Sequence, residues 1–344
     1  MKFTRSSGPY WRPVQDVPAM MRHVLYALAP AAAAHSFFFG PGLWINLCVA
    51  GITALATEAI ALRLRGAPLQ LHLSDGSALV SAALLALCLP PLLPWWVTAT
   101  GTAFAIGVVK HLYGGLGLNL FNPAMAGYAL LLLVFPAHMT NWLPPHVDDL
   151  DYQALSLWQT LQFTATGNLP ATLGLDAVTG ATPLDVLRTE LGRMRTLTEI
   201  AADPVFGDFG GRGWEWVGNF VTLGGLWLLY RGIIRWQIPA GMLAGVLAGS
   251  LLLYLADPQT HASPLFHLYA GGTLLGAFFI ATDPVSACVT DRGRLIYGAG
   301  CGLVTVAIRS WAAFPDGVAF AVLLMNVLAP LIDRYCRPRV YGTG

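Results

Sequence analysis

The residues best equipped for chemistry lie in one polar segment, Asp176-Ala-Val-Thr179-Gly180-Ala181-Thr182-Pro183-Leu-Asp185. Thr179-Gly180 bends the chain, and Thr182 before Pro183 has the pattern of a helix N-cap with proline at the first helical position. A threonine placed there holds its hydroxyl beside free backbone N–H groups and the positive end of a helix dipole. That field suits a capping oxygen and suits a phosphate equally, so Thr182 reads as a plain cap or as the carrier of a phosphoester.

Charged groups inside apolar runs are the second source of chemistry. Glu58 sits within one such run and Asp283 at the Asp283-Pro284 break after another. Carboxylates at membrane depth are costly and point to ion or proton handling, the alternative being a buried pair or an acid at the interface. Lys110 and His111 close a run and read as side chains snorkelling to the interface. Asp333 beside Arg334 reads as an interfacial charge.

Tyr113-Gly-Gly-Leu-Gly leads into Asn122-Pro123, a glycine-rich turn followed by a capped helix start. Its backbone N–H groups suit a polar or anionic ligand, although a plain tight turn has the same composition. The five cysteines contain no C-x-x-C pair, so buried free thiols are expected rather than a disulfide framework or a zinc site.

The elements that must position these groups are membrane helices. Of 344 residues, 56% are hydrophobic and 11% charged, with a mean hydropathy of +0.60. A soluble protein of this size carries about 25% charged residues, because its surface must stay in water. A net charge of +1 also lacks the basic field that nucleic acid requires. Apolar runs of spanning length predict helices near 21–39, 43–62, 77–93, 95–112 and 123–137, then 215–230, 239–256, 265–281, 295–312 and 318–333.

This is an all-α polytopic membrane protein of about ten spans, divided into 1–137, a polar loop 138–213, and 214–344. Of the 19 Lys and Arg, all but Arg188, Arg193, Arg195, Arg212 and Arg309 fall on one side, which places both termini in the cytoplasm. Met1–Pro18 lacks a cleavage site and reads as a cytoplasmic tail. Five helices on each side of the loop enter the membrane in opposite senses, the arithmetic of an inverted-topology repeat. The short runs from Gly76 to Pro90 and from Gly272 to Pro284 are both stopped by proline, as broken helices at a repeat interface would be.

The pattern Asp176-x-x-Thr179-x-Ala181-Thr182 resembles the flavinylation motif of the NqrB/RnfD family, subunits of the Na⁺-NQR and Rnf complexes. The likeness spans nearly the whole chain and points to the RnfD branch. It includes Ser7-x-Pro9-Tyr10, Tyr113-Gly-Gly-Leu-Gly, Phe121-Asn-Pro-Ala-Met and Trp142-Leu-Pro-Pro-His146. Beyond the loop it includes Leu275-Gly-Ala-Phe-Phe, Thr282-Asp-Pro-Val, Arg292-Gly-Arg-Leu and Arg337-Pro-Arg-Val-Tyr-Gly342. Ala177 stands where the motif commonly has glycine.

The resemblance implies FMN joined through its phosphate to Thr182, installed by a flavin transferase, with Asp176, Thr179, Gly180 and Ala181 forming the rest of the motif. It implies electron relay between NAD(H) and ferredoxin chemistry, coupled to Na⁺ or H⁺ movement across a bacterial inner membrane. Partners are then a membrane pair, a second flavin-bearing subunit on the outer face, and cytoplasmic NADH and iron–sulfur subunits. The chain itself has no glycine-rich dinucleotide fingerprint and no iron–sulfur cysteine spacing. A non-covalent riboflavin is also expected, with Asn122 and Asp283 as walls of its site. Glu58 and Asp283 are the expected ion path, and no acid–base catalyst or metal site is expected. The alternatives are a permease or channel of the same inverted-repeat build without redox chemistry, and a scaffold.

Overall fold

The computed structural model describes residues 16–147, 155–169, 174, 177–312, 314 and 316–337. The first half contains α1 (Val17–Phe39), α2 (Gly42–Leu64), α3 (Leu69–Leu73), α4 (Ser77–Cys88), α5 (Trp95–Phe104), α6 (Pro123–Val134) and α7 (Pro136–Met139). Helix α5 continues as a π-helical stretch over Ala105–His111. The loop carries α8 (Leu157–Thr166), α9 (Pro183–Gly192) and α10 (Leu197–Ile200). The second half contains α11 (Trp214–Tyr230), α12 (Gln237–Ala256), α13 (Pro264–Tyr269), α14 (Thr273–Leu275), α15 (Asp291–Trp311) and α16 (Val318–Tyr335). Helix α14 runs on as a π-helix over Gly276–Ile280. Among the described residues the β-pairing consists of the isolated bridges Trp142–Gly180 and Phe206–Gly211.

The protein is an all-α, multi-pass membrane protein. Among the described residues, Gly42–Leu64, Gln237–Ala256 and Val318–Tyr335 are each long and apolar enough to cross a bilayer, and Ser77–Cys88 and Pro123–Val134 are shorter apolar helices. Large apolar side chains point outward from them, Ile52 at 71% exposure and Leu252 at 69%, as lipid-facing surfaces require. Cys48 is among the outward-facing residues, which corrects the expectation that this thiol is buried; all five cysteines are free.

Helix α4 stops at the Pro90-Pro91 turn, and backbone left open at membrane depth must find partners inside the protein. A side-chain amide supplies one: Asn46 Nδ2 donates to the Pro90 carbonyl at 2.9 Å, while Thr98 donates to Asn46 Oδ1. The break after α14 is handled in the same way. Asn122 Nδ2 donates to the Ile280 carbonyl at 3.1 Å, and Asn326 Nδ2 donates to the Ser286 carbonyl at 3.1 Å.

Close helix packing rests on small residues. Gly241 and Gly245 on α12 face Gly298 and Gly302 on α15, spaced four apart on both helices, so the backbones nearly touch. A Cβ on Gly241 would lie 2.6 Å from the Leu295 carbonyl oxygen. The loop is seated on both halves by small apolar clusters. Val178 joins Leu92, Leu143, Leu155 and Phe163 over the first half, and Leu184 and Leu187 join Ile200, Ala262, Phe266 and Ala270 over the second. The chain therefore crosses from one half to the other between Val178 and Leu184.

Candidate functional site

Thr182 lies at that crossing. It is the N-cap of α9, in extended conformation, with Pro183 opening the helix. Its Oγ1 accepts from Asp185 N at 3.3 Å and donates to Asp185 Oδ2 at 2.7 Å. Burial pushes the Asp185 carboxyl above the usual carboxylate range, an effect only partly offset by the hydrogen bonds from Thr182. Upstream, Gly180 N donates to the Trp142 carbonyl at 2.8 Å, which pins the turn against the segment after α7. Thr179 and Gly180 are half-buried and Ala181 is exposed. Asp176 lies outside the described residues, as do Ser7, Pro9 and Tyr10.

Thr182 and Asp185 line a cavity of about 130 Å³ that descends between the two halves. From the first half it takes His35 of α1, Cys88 at the end of α4, and Met125, Tyr128 and Leu132 of α6. From the second it takes Trp214 and Val217 of α11, Leu274 and Leu275 of α14, and Val318 and Ala319 of α16. Trp142 and Trp214, both in its lining, meet edge to face with ring centroids 4.9 Å apart. One side is set by an ion pair. Arg309 Nη2 lies 2.9 Å from Asp316 Oδ1, and Arg309 also donates to the His267 and Ala270 carbonyls at 2.7 and 3.0 Å. Asp316 Oδ2 in turn accepts from Gly272 N at 2.7 Å. Gly271 has a φ of +63°, and a Cβ there would press on Asp316, Leu184 and Arg309.

A second cavity, of about 140 Å³, lies between Asn122-Pro123 and Asp283-Pro284, so Asn122 and Asp283 share one cavity. Lys110, Ser77, Asn119 and Thr282 also line it. Asn122 spends its donors on the protein: its side chain holds the Ile280 carbonyl and its backbone N–H donates to Asn326 Oδ1 at 3.0 Å. Its Oδ1 caps Met125 N at 3.1 Å. Asp283 is half-buried and accepts from the Ser286 hydroxyl at 2.6 Å.

Lys110 corrects the sequence reading. It is 2% exposed, and instead of snorkelling to water it is paired with Glu58 and donates to Ser77 Oγ at 2.7 Å. His111 Nε2 stands 3.3 Å from Glu58 Oε1, and Arg65 reaches His111 Nδ1 at 3.4 Å. Ser77 also donates to Asp75 Oδ1. Glu58 does not line the second cavity, but its partner Lys110 does. Asp333 accepts from Val289 N, Thr290 N and the Thr290 hydroxyl, which makes it a cap for the start of α15. Among the described residues no His, Cys, Asp and Glu cluster is arranged to hold a metal ion.

Comparison with known proteins decides the family. A family model described as NQR2, RnfD, RnfE matches residues 4–342. The chain belongs to the NQR2, RnfD, RnfE family. A relative from Aeromonas hydrophila, named as a subunit of an ion-translocating oxidoreductase complex, is 48% identical over 345 residues, covering 99% of each chain. One of the same name from Pseudomonas aeruginosa is 49% identical, covering 99% of this chain and 96% of its own. One from Aliivibrio salmonicida is 47% identical over 351 residues, covering 99% of each chain. The groups that sequence reasoning missed are His35, Trp214 and Asp316, and it gave no role at this site to Trp142, Asp185 or Arg309. Asp185 stands three residues from Thr182, within capping reach, whereas the others come from distant parts of the chain and no local spacing marks them.

Proposed function

We propose that this chain is the membrane subunit of an Rnf-type ion-translocating oxidoreductase complex and carries FMN through a phosphoester on Thr182. What supports this most directly is Thr182 itself: a helix-capping hydroxyl in the lining of a mainly apolar cavity with aromatic walls. The residues fit the group. The N-terminus of α9 favours a phosphate at the hydroxyl. The cavity below offers apolar and aromatic walls for a flat ring, and His35 there has buried ring nitrogens with no partner in the protein. FMN, when bound, supplies one- and two-electron transfer, and the protein supplies position and potential.

The chain's own part follows from its residues. Thr182 anchors, and Asp185 holds the hydroxyl at a fixed rotamer before modification. Trp142 and Trp214 give the cavity apolar aromatic walls that exclude water. Arg309 and Asp316 fix the Gly271-Gly272 wall.

Electrons arrive from and leave to other subunits: a membrane pair, an outer flavin-bearing subunit, and cytoplasmic NADH and iron–sulfur subunits. A flavin transferase makes the attachment. The second cavity is the seat of a non-covalent riboflavin between Asn122 and Asp283, and Glu58 and Asp283 serve the Na⁺ or H⁺ path. Around these sites we place ten spans as a 5+5 inverted repeat in a bacterial inner membrane, with both termini cytoplasmic and the loop 138–213 outside.

The deciding experiment is coexpression with a flavin transferase, followed by in-gel fluorescence of the denatured chain and mass measurement of the peptide containing Thr182. A fluorescent band that Thr182→Ala abolishes supports the assignment. A dark wild-type band removes it and leaves a permease or channel. A fluorescent band together with normal electron transfer in Thr182→Ala leaves a scaffold.

A further inference from the structure

The cavity under Thr182 contains a polar group that nothing in the protein satisfies. His35 is 1% exposed and lines this cavity, and neither ring nitrogen has a hydrogen-bond partner. Its neighbours are aromatic faces: Phe39 with ring centroids 5.1 Å away, and Trp214 at 6.3 Å and nearly perpendicular. Neither neighbour offers a partner to a ring N–H in its plane. A leucine or phenylalanine would fill the same place in α1 without burying an unpaired donor and acceptor, so the imidazole is costly where it stands. A buried polar group of this kind calls for water, an ion or a ligand to complete it.

We propose that His35 donates a hydrogen bond to the polar, carbonyl-bearing edge of the flavin ring system, and so positions the ring and sets its potential. This rests on the reading of Thr182 as the attachment point. The two residues line the same cavity from different elements, Thr182 at the start of α9 and His35 on α1. A phosphate anchored at the first leaves the ring to fill the space that the second borders. Met125, Leu132 and Leu275 offer no hydrogen-bonding partner to a ring carbonyl, whereas a neutral imidazole carries one donor and one acceptor. Reduction moves electron density onto the carbonyl-bearing edge, so a donor there stabilises the reduced flavin. His35 is thus a positioning residue, distinct from the anchor.

The test uses the assembled complex carrying His35→Leu, His35→Gln or the native residue, with two readouts. Covalent flavin on the denatured chain should be the same in all three, because attachment depends on Thr182. The midpoint potential of that flavin should fall in His35→Leu. The expected size is a tenfold change in the oxidised-to-reduced ratio at fixed applied potential, about 30 mV for a two-electron couple. His35→Gln keeps a donor and should recover most of the shift. An unchanged potential in His35→Leu overturns the proposal, since an imidazole satisfied by water alone predicts that result.

If His35→Leu fails to assemble, the flavin-free Thr182→Ala background decides. There the substitution must leave thermal stability equal or higher, and a loss makes His35 a structural residue and overturns its role. A dark wild-type chain sinks the Thr182 reading first and this proposal with it. A fluorescent chain with unshifted potential sinks this proposal alone.

Discussion

Thr182 Oγ1 both accepts from Asp185 N and donates to the Asp185 carboxylate, so capping and cofactor attachment compete for one oxygen. The two roles separate by substitution. Asparagine caps about as well as threonine, and loss of a cap costs about 1 kcal/mol. Thr182→Asn is therefore expected to assemble with native thermal stability yet carry no covalent flavin, whereas Thr182→Ser keeps both; in-gel fluorescence and a melting curve read the two outcomes. Asp185 adds a pH dependence. Its carboxyl titrates above the usual range because burial disfavours the charge, so the folded chain binds that proton more tightly than the unfolded one. The seating of α9 is then firmest at acid pH and weakens as pH rises from the ordinary carboxylate value through the raised one. Protection against hydrogen exchange across residues 184–192, taken relative to the intrinsic rate at each pH, should fall as pH rises above the ordinary carboxylate range, and Asp185→Asn should flatten that change.

At the scale of elements, breaks and close contacts decide the packing. Helices α12 and α15 approach through Gly241, Gly245, Gly298 and Gly302, where an added Cβ meets backbone that cannot move aside. Gly302→Leu should separate the pair and lower the melting temperature of the purified complex, while substitution of the outward-facing Leu252 by alanine should not. Arg309 ties α15 to the carbonyls of His267 and Ala270 and to Asp316. Removing one member of such a buried pair costs about 3–5 kcal/mol. Arg309→Leu is expected to destabilise the chain by roughly that much and to reduce flavinylation by loosening the Gly271-Gly272 wall. Thermal unfolding and fluorescence per chain check the two effects.

Across the whole molecule, both cavities lie where the two halves meet, and polar side chains bind the halves together. Asn326 on α16 accepts from Asn122 N and donates to the Ser286 carbonyl and Tyr297 Oη. The Glu58–Lys110 pair places a buried charge network beside the second cavity. If this network serves the ion path, Glu58→Gln will lower ion transport in the assembled complex while flavin content stays normal. Lys110 then loses its counter-charge, so stability should fall too, and Lys110→Met added to Glu58→Gln should restore stability without restoring transport. Transport equal to wild type in the stable double variant would take Glu58 out of the path.

The membrane class, the all-α build and the cap at Thr182 were legible in the sequence because each depends on short-range information. Apolar run length states what solvent a helix meets, and Thr-Pro at the head of a helix states how its first turn is closed. Asn122 and Asp283 were paired through the family resemblance alone, as walls of one flavin site, and in the structure both line one cavity. Lys110 shows the limit. At the end of an apolar run a lysine snorkels or pairs, and only the fold, by bringing Glu58 and Ser77 to it, decides which. His35 reads as an ordinary polar residue in an apolar helix until Phe39, Trp214 and the second half enclose it. Local sequence carries propensity and solvent; burial and partnership between residues hundreds of positions apart exist only once the chain has packed.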